Sequence, residues 1–131
     1  MKKAKCYTCR RAVLEDGTKV PVMVLTDGYV FPYKLEGYSG DHLFVYKAKE
    51  SDGVRTIWTL IEPITGLSLT VKDTRADCEF EAFQPTIADR LIVMLREHPD
   101  RIENLRKLHE PYPRWTMEEF LEWNHEELRY Q

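Results

Sequence analysis

Hydrophobic and polar positions follow two rhythms along this chain, and the rhythm changes at about Thr74. Before that point short apolar runs alternate with turn signals. That is the pattern of strands, whose side chains repeat every second residue. β-prone runs occupy residues 6–14, 19–25, 29–33, 43–49, 54–61 and 67–72. Asp16-Gly17, Asp27-Gly28, Gly37, Ser39-Gly40, Asp52-Gly53 and Thr65-Gly66 separate them with residues suited to tight turns. The clearest hairpin joins residues 43–49 to 54–61 across Glu50-Ser51-Asp52-Gly53. In its second strand Val54, Thr56, Trp58 and Leu60 do not separate cleanly from Ile57 and Ile61, which predicts cover on both faces. Leu67, Leu69 and Val71 are then expected on one face of a third strand.

After Lys72 the period becomes helical. Thr74 with Asp77 reads as an N-cap pair opening a short helix that Pro85 ends. Thr86 with Asp89 repeats the arrangement before Ile87, Leu91, Ile92, Val93, Met94 and Leu95, a helix apolar around most of its circumference. His98-Pro99-Asp100 breaks the run, and Ile102, Leu105 and Leu108 mark a further helix. Glu110-Pro111-Tyr112-Pro113 is a stiff linker, because each proline fixes φ and lacks a donor. Thr116 with Glu119 forms the best capping box and starts a final helix to about Tyr130. The expectation is one α+β domain over residues 1–131, with an antiparallel sheet in the β-rich part (1–72) and three to four helices (74–130) packed on one side of it.

Charge refines this picture only locally. The net charge of −3 is mild, but residues 1–60 hold ten Lys/Arg against seven Asp/Glu while residues 61–131 hold nine against fifteen. No apolar run reaches the ~20 residues of a membrane span. No apolar core follows the basic start, so an unexported, cytoplasmic protein is expected, its three cysteines reduced.

Trp58-Thr59-Leu60-Ile61-Glu62-Pro63-Ile64-Thr65-Gly66-Leu67-Ser68-Leu69, followed by Thr74-Arg75 and a helix, resembles a pattern in small accessory proteins of bacterial phages and mobile elements. That pattern is a strand opening on Trp, a Thr-Gly turn, a second strand and a Thr-Arg/Lys helix start. Where the family has Glu-Ala after the helix cap, this chain has Asp77-Cys78. The resemblance implies a genomic neighbourhood rather than a reaction. Some such proteins are binders that inhibit host or rival machinery.

Cys6-Tyr7-Thr8-Cys9 is half of what a tetrahedral zinc site uses, and Cys78 with one histidine would complete a Cys3His set. Against zinc, Arg10 and Arg11 stand where a zinc knuckle places glycine. A strand there would also send Cys6 and Cys9 to opposite faces. No cofactor is therefore expected. His42 beside Asp41 is the one acid–base pair an enzyme could be built on, without a recognisable nucleophile elbow. Structural or solvent roles are expected for His42, His98, His109 and His125.

The last helix carries the leading functional expectation. At ~100° per residue, Met117, Phe120, Leu121 and Leu128 form a core-facing stripe and Glu118, Glu119, Glu122 and Glu126 the far side. Trp115, Trp123 and Tyr130 lie off the stripe, where large aromatics favour binding. The expectation is a non-enzymatic protein-interaction module, an accessory or inhibitor protein of a phage or mobile element, docking through Trp115, Glu119, Glu122, Trp123, Glu126 and Tyr130 on another protein or a second copy of the chain. The alternative is a nucleic-acid binder with a basic N-terminal edge of Lys2, Lys3, Lys5, Tyr7, Arg10 and Arg11, in one form stabilised by zinc.

Overall fold

The computed structural model describes residues 2–49, 56–96 and 101–125. Among them the chain forms strands β1 (Lys2–Val13), β2 (Lys19–Pro32), β3 (His42–Lys49), β4 (Thr56–Glu62) and β5 (Leu67–Lys72). Helices α1 (Arg75–Ala82), α2 (Pro85–Arg96) and α3 (Arg101–His109) follow, then a short strand β6 (Arg114–Trp115) and helix α4 (Met117–Trp123). The fold is α+β, with the antiparallel sheet first, as the change of rhythm predicts. β1 to β5 pair in chain order as a meander, and β6 joins β2 in parallel. The expected turn Glu50-Ser51-Asp52-Gly53 and the break at His98-Pro99-Asp100 lie outside the described residues. No described helix is long and apolar enough to cross a membrane.

Asp27-Gly28 is not a turn. β2 runs straight through it and pairs with β1 in unbroken register from Lys19↔Val13 to Val30↔Lys2. The glycine is there for space: a Cβ on Gly28 would stand 2.4 Å from the Val45 carbonyl oxygen and 2.5 Å from the Phe44 ring. On β5 the expected face of Leu67, Leu69 and Val71 is broken by a register shift. Leu60 pairs with Thr70 and Ile61 with Ser68, so Leu69 is the extra residue, turned inward and 4% exposed, while Val71 is 51% exposed.

The sheet is covered on both faces, not on one. Phe31, Leu43, Val45 and Leu60 pack under α1, α2 and α3 with Cys78, Ala82, Ile87, Leu91 and Ile102. Ala12, Val22 and Val24 have the opposite parity on their strands and pack under α4 with Phe120, Met117 and Trp115. Thr74 caps α1 as expected, its Oγ1 accepting the Asp77 N–H at 3.1 Å. Thr86 caps nothing: Pro85 occupies the first turn of α2, where its fixed φ suits the helix and its missing donor costs no bond. α2 buries a stripe of Ile87 and Leu91 and leaves Val93 exposed. Its cover is narrower than the sequence suggests.

The β4–β5 turn is organised by Glu62, which is fully buried. Its Oε2 accepts the Tyr38 hydroxyl at 2.6 Å and the Ile64 N–H at 2.8 Å, and its Oε1 accepts the Thr65 N–H at 2.8 Å. Burial and the adjacent carboxylate raise the Tyr38 phenol, so it stays a donor. The turn is then gripped from outside. His109 hydrogen-bonds the Thr65 carbonyl through Nδ1 at 2.9 Å, and the Cys9 N–H donates to the Gly66 carbonyl at 3.1 Å. The sheet therefore curls until the turn between its fourth and fifth strands meets the outer edge of the first. Glu62→Gln should lower stability by about 1–3 kcal/mol, because either orientation of the amide aims its NH2 at a backbone N–H. Urea denaturation checks this; an unchanged midpoint would mean that the turn does not require the charge.

Candidate ligand cleft at the fork of the sheet

β2 is longer than either neighbour on its second edge. From Tyr29 to Pro32 that edge pairs with β3, and at Met23 and Val24 it pairs with β6. Between these contacts β2 and β3 part company, and the sheet forks. A cleft of about 560 Å³ opens there, lined by Lys3, Lys5, Asp27, Gly28, Tyr29, Lys47 and Trp58. Register puts its charged and aromatic groups on one face. Lys3 is opposite Tyr29, Lys5 opposite Asp27, and Lys47 opposite Trp58.

The aromatic floor is preorganised. The Tyr29 and Trp58 rings lie 6.3 Å apart at 42°, and both pack against the core beneath α1. Arg75, the first residue of α1, lays its guanidinium 4.6 Å from the Tyr29 centroid and 5.9 Å from that of Trp58. Thr74 fixes this residue by capping the helix, so the cap seen in the sequence places a cation over the rings. Lys5 and Asp27 approach to 3.9 Å as an exposed pair, which leaves Lys3 and Lys47 as the cleft's other cations.

Of the six basic-edge residues, the structure brings Lys3 and Lys5 into the cleft and puts Tyr7 and Arg11 further along the same face of β1. Lys2 and Arg10 have the other parity. Arg10 turns inward: its Nε donates to Thr8 Oγ1 at 2.8 Å and its Nη2 to Thr26 Oγ1 at 3.1 Å. Its guanidinium lies 4.9 Å from the Tyr46 ring centroid and 5.4 Å from that of Phe120, so it fastens α4 to the sheet instead of meeting a phosphate. Burial lowers its pKa from the usual guanidinium range. Sequence reasoning missed Tyr29, Lys47, Trp58 and Arg75 as a group. The signal was the cross-strand pairing, which no single segment displays.

β1 also separates the cysteines. Cys6 and Cys9 point to opposite faces of one strand, and Cys78 is buried under α1, its Sγ–H donating to the Trp58 carbonyl at 3.4 Å. Burial, with Glu62 nearby, pushes the Cys6 thiol up to about 11, and burial does the same to Cys78. Among the described residues no three His, Cys, Asp or Glu side chains form a metal-holding group. Asp41 and His42 form an exposed hydrogen bond, Oδ1 to Nδ1 at 2.7 Å, which holds Asp41 below the usual carboxylate range.

The expected docking residues divide as well. Trp123 meets Trp115 edge-on, centroids 4.9 Å apart at 83°. Glu119 is consumed by its capping box, Oε1 accepting the Thr116 N–H at 3.2 Å, while Glu122 is exposed. Glu126 and Tyr130 lie outside the described residues. Leu121, expected in the core, is 69% exposed. The reason is where the helix stops. It ends at Trp123, short of Tyr130, because Asn124 caps it and its Oδ1 accepts the Val13 N–H at 2.9 Å. Met117, Phe120 and Asn124 then set the inward bearing and rotate Leu121 outward.

Comparison of the chain with family models, curated proteins and solved structures finds no match.

The fork makes its own prediction. Gly28→Ala places a methyl against backbone at Val45, so β2 and β3 must separate, at a cost of about 1–3 kcal/mol. Thermal or urea unfolding reads this directly; wild-type stability in that variant would show that the fork is looser than the packing implies.

Proposed function

We propose that the protein is a non-enzymatic binding protein whose cleft takes an anionic ligand carrying a flat aromatic ring, the chemistry of a nucleotide or a nucleic acid. The observation that supports this best is the convergence of Lys3, Lys5 and Lys47 on the Tyr29 and Trp58 rings, with Arg75 already stacked on them. A base offers a π-face to the rings and guanidinium, while its phosphate meets the lysines at the rim. Neither interaction requires a metal or a nucleophile. A cytoplasmic accessory role in a bacterial mobile element, implied by the resemblance around residues 58–78, is compatible with such a binder and rests on that resemblance.

Fluorescence anisotropy with a labelled oligothymidylate at low salt tests this reading. Binding is expected to weaken steeply as salt rises. Lys3→Glu with Lys47→Glu, both exposed positions, should weaken it by about tenfold or more. No binding by the wild type, or equal binding by the double variant, removes the cleft as the site.

A second surface supports protein docking. Leu121 is 69% and Trp123 42% exposed beside the exposed carboxylates Glu118 and Glu122, an aromatic anchor with an acidic rim. Trp123→Ala with Glu122→Lys should release a partner that the Lys3/Lys47 variant still captures from lysate. If every captured protein is retained by both variants, α4 is only a solvated cover.

A further inference from the structure

We infer that the ligand of the fork cleft is a polymer, a single strand of nucleic acid held at two stacking stations about four nucleotides apart. The inference rests on the reading of the cleft given above and adds a footprint to it. The first station is the Tyr29–Trp58–Arg75 group. The second is Tyr7. Strand alternation puts Lys3, Lys5 and Tyr7 on one face of β1, so a row of two cations leads out of the cleft to a third ring.

Tyr7 is 39% exposed, and the Arg114 guanidinium lies 5.7 Å from its centroid. Arg114 comes from β6 and is held there by the Glu110 and Tyr112 carbonyls, which accept from its Nη1 at 2.8 and 3.1 Å. Both stations thus share one design: an aromatic ring with an arginine over it, each arginine supplied by an element outside the β1–β2 pair. Such a ring–guanidinium pair is a platform for a base.

Spacing sets the length. From the Lys3/Tyr29 rung to Tyr7 is four residues of β1, about 13 Å at ~3.3 Å per residue. A stacked strand advances ~3.4 Å per nucleotide, so the stations lie about four steps apart and a strand of about five nucleotides reaches from one to the other. Lys3 and Lys5 lie along that path, where intervening phosphates pass. A mononucleotide can occupy only one station. A duplex presents neither, because its bases are already stacked inside.

The test is a length series of thymidylates and uridylates, from mononucleotide to octanucleotide, with a duplex of the same length, titrated against the whole chain. Affinity should rise by about tenfold or more from one to about five nucleotides and by less than about threefold beyond. The duplex should bind more weakly than the single strand. Tyr7→Leu, which keeps apolar bulk without a ring, should abolish the rise. An unchanged urea midpoint shows that this variant is folded. This ordering in either sugar series supports the inference. A mononucleotide binding as tightly as a pentanucleotide, a steady rise through eight, a duplex binding as well as the single strand, or a rise that survives Tyr7→Leu overturns it and leaves the cleft reading standing. No binding at any length removes both.

Discussion

One buried carboxylate holds the molecule's curvature. Taking a charge out of water costs several kcal/mol unless hydrogen bonds replace the lost hydration. Glu62 meets that condition with three donors, two of them backbone N–H groups of its own turn and the third the Tyr38 hydroxyl. No lysine or arginine is among its described partners, so this stabilisation is hydrogen bonding and is little screened by salt. With the turn rigid, its outward carbonyls become fixed acceptors, one for His109 at the end of α3 and one for Cys9 in β1. Gly66 allows the second contact: its φ is +73°, and a Cβ there would stand 2.9 Å from the Tyr7 carbonyl oxygen. Sheet closure, helix docking and the position of Tyr7 all descend from this turn.

The second constraint is that β2 has two successive partners on one edge. A strand of fourteen residues cannot stay flat against the shorter β3, and β6 takes the stretch that β3 leaves. Twist accumulates along such a strand, so its two ends present their inner faces to different helices. This is why α4 covers one face of the β1–β2 ribbon while α1, α2 and α3 cover the opposite face of β3 to β5. Between the two packing regimes the start of α1 reaches the sheet through Arg75, and the cleft opens beside it.

Strand and helix identities were legible because each rests on local periodicity, and Thr74 and Thr116 announced their helices because a cap is a local contract between a side chain and N–H groups three residues on. Asp27-Gly28 misled because glycine marks turns and close packing alike, and only the partner strand shows which. Leu121 misled because a helical stripe assumes a helix long enough to average its bearing. α4 stops after two turns, and Asn124 decides the direction. The cleft was half legible: Lys3, Lys5 and Tyr7 stand together in the sequence, whereas Tyr29, Lys47, Trp58 and Arg75 belong to four different elements. Arg10 could not be separated from its basic neighbours without the strand's parity, which turns it toward Thr8 and Thr26.

A chain of net charge −3 has no obvious claim on an anionic ligand, yet salt largely screens exposed charges from one another beyond the Debye length, about 8 Å at physiological ionic strength. Inside that distance the cleft responds to its own lining, three lysines against one aspartate, with Arg75 above. The exposed carboxylates of α4 lie across the sheet, because Phe120 and Met117 commit that helix to the other face. The fold thus separates in space two charge populations that the sequence only separates in order. On the proposed reading, that separation gives the ligand an orientation. Phosphates are drawn to the open face of the fork and repelled from the α4 side, so the rings of Tyr29, Trp58 and Tyr7 are approached from the direction in which the lysines already point.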